Sequence, residues 1–138
     1  MTGLWRILAC AGLLAAADAG AQENDDFHLG ELEYEISCLS CHGIDGRGDG
    51  PDAAHLDRKP ADLTRIARAN GGVFPADRLT LVIDGRELVA AHGAREMPVW
   101  GERYRAPVPG VEGEFDFEAD ARAKIDALVR YIEGLQEP

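Results

Sequence analysis

The chain contains few cysteine, aromatic and basic residues. Only three of its 138 residues are cysteine, and 7% are aromatic. Three cysteines are too few for a small secreted scaffold held together by several disulfide bonds. Lysine and arginine total 14 against 25 aspartate and glutamate residues, which gives a formal net charge of −11. Because such an acidic surface repels phosphate backbones, we expect no nucleic acid among the partners.

Long hydrophobic runs are also missing beyond the N-terminal segment. The overall hydrophobic fraction of 46% is ordinary for a globular protein, which disfavours both global disorder and a multispan membrane protein. A chain of this length predicts one domain.

The N-terminal segment, residues 1–21, has the pattern of a secretory signal peptide. Arg6 supplies a sparse positive charge, and residues 7–17 form a short apolar run of the kind that export signals contain. Small residues at 19–21 predict cleavage after Ala21, with a second option at residues 17–19. We therefore expect residues 22–138 to form the exported domain, located in the periplasm.

Two other fates of this segment are weaker interpretations. A retained membrane anchor needs about 20 apolar residues, whereas this run is shorter and Asp18 interrupts it. A lipoprotein signal ending at Cys10 would leave almost no apolar segment after Arg6. We expect no stable membrane insertion once the signal peptide is removed.

The mature chain has the periodicity of an all-α protein with long loops. Apolar residues recur at helical spacing in three segments, and no run alternates at the strand period. A fourth, short helix is expected after Pro60, ending before Asn70. Asp116 is a candidate N-cap for the last helix, and Gly85 is a candidate stop for the third. The predicted helices are 27–40, 61–69, 76–84 and 117–135, with loops at 43–60 and 86–115.

One short motif indicates chemistry. Cys38-Leu39-Ser40-Cys41-His42 has the spacing of c-type haem attachment. Two thiols three positions apart at the end of a helix lie on one side of the chain, where they can add to the two vinyl groups of one porphyrin. The adjacent His42 then brings its imidazole to the iron. The motif therefore predicts one haem c, attached through Cys38 and Cys41.

Three other interpretations of the two cysteines compete with haem attachment. A structural zinc site needs further spaced ligands, and the mature chain has no third cysteine. A thioredoxin-like pair normally follows a strand, whereas a helical pattern precedes Cys38. A plain disulfide across so short a loop would leave the long loops without a core.

A second axial ligand for the iron is predicted at Met97. It is the only methionine left once Met1 is removed, and it lies in a loop beside Pro98 rather than in a helical apolar stripe. An isolated methionine can also fill a gap in a core. Three histidines are the alternative ligands: His28, His55 and His92.

These residues resemble the class I cytochrome c family over nearly all of residues 27–137. Besides the haem motif, Gly30 and Tyr34 stand where the family's N-terminal helix carries a small residue and an aromatic. Residues 128–132 are similar to its C-terminal helix. The resemblance implies a cytochrome c fold, with three to five short helices and long loops wrapped around one covalently bound haem. It also implies that Tyr131 packs on the helix around Gly30.

The resemblance extends to the loops. Residues 48–51 are similar to the family loop whose proline carbonyl accepts a hydrogen bond from the proximal histidine, which implies that Pro51 orients His42. Residues 59–63 and 97–101 are similar to segments of bacterial members, and the second implies Met97 as the distal ligand. One difference is that residues 102–116 make a longer connection to the last helix than the smallest members have.

Trp100 and an apolar wall complete the predicted haem site. Trp100 either donates its indole N–H to a haem propionate or only packs against the cofactor. The residues expected to form the wall are Leu56, Leu63, Leu79, Val82, Ile83 and Trp100.

Ligation by His42 and Met97 leaves no open position on the iron, which favours electron transfer rather than catalysis. We therefore expect an electron carrier and not an enzyme, with redox proteins as donor and acceptor. The alternative is the haem c subunit of a larger periplasmic dehydrogenase or oxidase complex. A more distant alternative is a small haem enzyme or gas sensor in which Met97 dissociates.

The net charge lies in the terminal segments. Residues 22–42 carry six acidic residues and no lysine or arginine, and residues 111–138 carry eight acidic and three basic residues. Residues 43–110 carry ten of each sign. We expect a strong molecular dipole, with a nearly neutral surface around the haem edge.

Overall fold

The computed structural model describes residues 27–87, 97–110 and 115–138. The proposed signal peptide at 1–21 and the alternative ligand His92 lie outside these residues. Within them the chain is helical and contains no strand, which confirms the all-α prediction. No helix in the described ranges is long and apolar enough to cross a membrane.

Six helices lie in the described ranges. Helix α1 covers residues 27–37, and a turn at Cys38 separates it from α2, so the predicted helix 27–40 is two helices. Short 3-10 turns at Ala53–His55 and Leu63–Arg65 lie between α2 and α3. The remaining helices are α2 (Leu39–His42), α3 (Ile66–Ala69), α4 (Ala76–Asp84), α5 (Trp100–Arg105) and α6 (Phe117–Gly134).

The crossing of α1 and α6 forms one side of the core. A Cβ atom added to Gly30 would lie 2.2 Å from the carbonyl oxygen of Ala127 and 2.9 Å from Cβ of Tyr131. Only glycine permits so close a contact between the two helices. The rings of Tyr34 and Tyr131 lie 5.1 Å apart. This contact confirms that Tyr131 packs on the helix around Gly30.

Helices α4 and α6 begin and end as the sequence predicts. The Asp116 carboxylate accepts a hydrogen bond from the Ala119 N–H at 2.9 Å, which caps α6. Gly85 follows α4 with φ of +84°, a left-handed conformation that glycine adopts without strain. The buried apolar side chains of α6 are Ala121, Ile125, Ala127, Leu128, Val129 and Ile132.

Helix α5 corrects the prediction that residues 86–115 are irregular. It has six residues and its second position is Gly101, so its local helix propensity is weak. Contacts with other elements stabilise it instead. Gly101 is buried against Asp84 of α4, and Arg105 pairs with Glu118 of α6.

Candidate functional site

The described residues enclose an apolar cleft between α2 and α4–α5. It consists of two adjoining cavities of about 380 and 60 Å³, and both are lined by Cys38, His42, Met97 and Trp100. Every residue predicted for the apolar wall lines one of them. Leu56 lines the smaller cavity, Leu63, Leu79, Val82 and Ile83 line the larger, and Trp100 lines both.

The two cysteines lie at the turn from α1 into α2. The Cys38 N–H donates to the Tyr34 carbonyl at 2.8 Å, and the Cys38 carbonyl accepts the N–H of His42 at 2.8 Å. Both thiols are free, with Cys38 buried and Cys41 partly exposed. Burial, together with the nearby Glu33 and Cys41, raises the pKa of Cys38 to about 12. Cys38 is therefore a neutral thiol at neutral pH.

His42 is buried at the end of α2, and its ring is oriented by a backbone carbonyl. Nδ1 lies 3.0 Å from the carbonyl oxygen of Ala61. Because a carbonyl oxygen only accepts, Nδ1 carries the hydrogen in this contact. In the neutral imidazole Nε2 then keeps its lone pair, as a metal ligand requires.

The contact with Ala61 differs from the expected contact with the Pro51 carbonyl. The loop after α2 folds back, and the Gly50 N–H donates to the Cys41 carbonyl. Pro51 comes directly after Gly50 in this loop, and its side chain is exposed. A Cβ atom on Gly48 would lie 2.2 Å from the Pro60 carbonyl oxygen. This close approach holds the segment with Ala61 against the loop and gives His42 its acceptor.

Met97 and Trp100 lie together on the wall of the cleft. The centroids of the Trp100 and Tyr104 rings lie 5.9 Å apart. The guanidinium carbon of Arg103 lies 5.0 Å from the centroid of the Trp100 ring. The structure thus brings Cys38, Cys41, His42, Met97 and Trp100 to one cleft. Pro51 is the predicted site residue that does not line it.

The two described alternatives to Met97 lie away from the cleft. The His28 side chain is 75% exposed and lies 3.6 Å from Glu31. His55 is exposed in a 3-10 turn. Neither lines the cavities.

A polar cluster beside the cleft was not predicted from the sequence. The Tyr104 hydroxyl donates to the Ser37 hydroxyl at 3.2 Å, and Ser37 lines the smaller cavity. Glu33 is 7% exposed, and its carboxylate lies 3.7 Å from Lys124 Nζ. The sequence feature that could have indicated this cluster is a charged residue, Glu33, directly beside Tyr34, which faces α6.

The donor set of the cleft is two thiols, one imidazole and one thioether. Imidazole and thioether are ligands for borderline and soft metal ions. In the described ranges no group of three or more histidine, cysteine, aspartate or glutamate residues is placed to hold a metal ion. No protein-family model, curated protein or solved structure matches the chain. The function is therefore inferred from the geometry of this cleft.

Proposed function

We propose that the chain is an exported monohaem c-type cytochrome that carries single electrons between redox proteins. Cys38 and Cys41 attach the haem, and His42 and Met97 are its axial ligands. The observation that carries the proposal is the convergence of all four side chains on one apolar cleft. Met97 is distant from the motif in sequence, so its position at the cleft is a property of the fold.

The cleft fits a flat apolar cofactor with two attachment points. Its walls are mainly aliphatic and aromatic, and its larger cavity of about 380 Å³ lies within the range of cofactor pockets. Haem bound here would supply a one-electron iron couple. The crossing of α1 and α6 at Gly30 supports the further proposal of a class I cytochrome c fold.

Each residue of the site has a separate task. The Ala61 carbonyl oxygen accepts the hydrogen of Nδ1 and fixes the His42 ring, which leaves Nε2 as the ligand atom and raises its basicity. The thioether of Met97 favours the ferrous state and raises the reduction potential. The apolar walls exclude water. If His42 and Met97 both held the iron, the chain would leave no position for a substrate, so the proposal is an electron carrier and not an enzyme.

A second candidate is the haem c subunit of a larger periplasmic dehydrogenase or oxidase complex. Several large apolar side chains in the described ranges are exposed, among them Leu32 at 52%, Ile36 at 70% and Ile44 at 74%. Size-exclusion chromatography of a native periplasmic extract distinguishes the two candidates. A free carrier elutes at the size of the chain alone, whereas a subunit co-elutes with a large oxidoreductase.

The ligation is tested with two substitutions of Met97, each produced in a host that matures c-type cytochromes. The oxidised unsubstituted protein should show the weak near-infrared band of a Met–iron bond and should bind CO slowly when reduced. Met97→Ala should lose the band, become high-spin and bind CO rapidly. Met97→His is the matched control, which should lose the band but stay low-spin. An unchanged spectrum in Met97→Ala contradicts the assignment, and rapid CO binding by the unsubstituted protein favours a gas sensor or haem enzyme.

A further inference from the structure

The segment that carries Met97 is held against the C-terminal end of α4 at two close contacts. A Cβ atom on Gly85 would lie 2.3 Å from Cγ1 of Val99, and one on Gly101 would lie 1.9 Å from Oδ1 of Asp84. The backbone of residues 99–101 therefore lies directly on the last residues of α4. Since Met97 comes two residues before Val99, its position depends on this contact.

A buried carboxylate lies at the centre of the contact. The Asp84 side chain is 7% exposed, and Arg105 Nη1 lies 2.6 Å from its Oδ1. Arg86 Nε lies 2.5 Å from the other oxygen. A buried carboxylate is costly unless positively charged partners compensate it. The contact between Asp84 and Arg105 therefore favours the packing of α5 against α4.

Arg105 joins three helices. It lies in the last turn of α5 and pairs with Asp84 of α4 and with Glu118 in the first turn of α6. Both hydrogen-bonded carboxylates raise its pKa, so the guanidinium stays charged. Movement of α5 away from α4 would separate Arg105 from Asp84 and carry Trp100 and the Met97 segment with it.

We propose that Asp84 and Arg105 are positioning residues that hold Met97 at the cleft. The proposal rests on the proposed function, because it concerns the placement of the distal ligand. Neither side chain lines the described cavities. They act through the backbone of residues 99–101, and weakening their contact would let the Met97 side chain leave its position at the cleft more often.

The test uses holoprotein with Arg105→Gln and Arg105→Lys, and it measures CO binding to the ferrous state together with amide hydrogen exchange. Arg105→Gln should bind CO at least tenfold faster and should show faster exchange in residues 97–105. Arg105→Lys keeps the positive charge and should restore part of both effects. Arg47→Gln is the matched control, because it removes an exposed ion pair, between Arg47 and Glu137, that lines neither cavity and should leave both readouts unchanged.

Glu118→Gln provides a milder variant that removes the exposed partner of Arg105. It should change both readouts in the same direction as Arg105→Gln, by a smaller factor. CO binding that stays at the unsubstituted rate in Arg105→Gln and Glu118→Gln overturns the proposal, even where exchange is faster. Absence of the Met–iron band in the unsubstituted protein would instead overturn the proposed ligation by Met97. The band therefore distinguishes failure of the ligation from failure of the positioning role.

Discussion

The hydroxyl of Tyr34 donates a hydrogen bond to the carbonyl oxygen of Gly43 at 2.7 Å. Tyr34 is 1% exposed in α1, and Gly43 directly follows His42. Burial raises the pKa of the Tyr34 phenol, so it remains a donor across the physiological range. The bond therefore couples the packing of α1 against α6 to the backbone that carries His42.

Tyr34→Phe should lower the free energy of unfolding by about 0.5–1.5 kcal/mol, because it removes one buried hydrogen bond while the Gly43 carbonyl oxygen still accepts the Gly46 N–H. Tyr131→Phe removes the same group from the neighbouring ring while the bond from Tyr34 to Gly43 stays intact, so its effect should be smaller. Urea unfolding followed by circular dichroism measures both. Equal losses in the two variants would show that the bond to Gly43 contributes nothing specific.

The crossing of α1 and α6 should not tolerate a side chain at position 30. Gly30→Ala places a methyl group 2.2 Å from the Ala127 carbonyl oxygen, and the helices must separate to admit it. We expect a loss of about 3 kcal/mol or more, at the upper end of overpacking costs. Gly134→Ala is the control, since its methyl group would meet Phe27 at 3.4 Å. Thermal unfolding should show a large decrease for Gly30→Ala and little change for Gly134→Ala.

Asp62 should make stability dependent on acid pH. The Thr64 hydroxyl and N–H donate to its carboxylate and, with Arg65 nearby, hold its pKa below the ordinary value of 3.8. A lowered pKa in the folded state means that the stabilisation is present above pH 3.8 and is lost as pH falls through the lowered value. Asp62→Ala should therefore cost about 1 kcal/mol at pH 7, with the difference shrinking below pH 4.

Asp62→Asn separates the cap from the charge. Its amide oxygen still accepts from the Thr64 N–H, so its loss at pH 7 should be smaller than that of Asp62→Ala. Guanidinium chloride unfolding at pH 7 and near pH 3 measures these differences. If the loss of unfolding free energy in Asp62→Ala were the same at both pH values, the charge of Asp62 would not contribute to stability.

The residues that line the cleft include more basic than acidic side chains. Among the described residues, the cleft lining includes Arg58, Lys59, Arg65 and Arg78 but one carboxylate, Asp62. Arg65 pairs with Asp62 and Arg78 pairs with Glu87, so the lining carries a small excess of positive charge in a chain with a net charge of −11. The acidic helices α1 and α6 pack against each other, which separates much of the negative charge from this surface.

The separation of charge should affect the rate of electron exchange with hexacyanoferrate, which is an anionic reagent. Its rate constant should fall as ionic strength rises, because the cleft attracts the anion. Lys59→Glu should lower the rate by roughly threefold or more at low ionic strength. Arg122→Glu makes the same change of charge on α6 and should have a smaller effect. A rate that rises with ionic strength in the unsubstituted protein would contradict a positive cleft.

Helices with strong local signals were predictable from the sequence. Helix α6 has a long apolar stripe and a capping aspartate, and α4 has a glycine stop, so both are found within one residue of their predicted bounds. Helix α5 was not predicted because its stability comes from contacts of Gly101 and Arg105 with other helices. Such contacts join residues that are distant in sequence.

The site was predictable to a similar degree. The spacing of Cys38, Cys41 and His42 predicts a cofactor motif, the isolated position of Met97 predicts a ligand, and the structure brings all four side chains to one cleft. The acceptor for His42 was not predictable, because it is a backbone carbonyl. Which carbonyl reaches the ring depends on how the loop folds, and the close approach of Gly48 to Pro60 brings the Ala61 carbonyl to His42.

The most direct test of the account is the intact mass of the exported protein measured under denaturing conditions. We predict the mass of residues 22–138 plus one haem, because thioether bonds at Cys38 and Cys41 survive unfolding. The variant with both Cys38→Ser and Cys41→Ser should yield the chain alone and should fail to fold, since so short a chain has lost its central apolar mass. The mass of the unmodified chain in the unsubstituted protein would contradict the central claim that this is a c-type cytochrome.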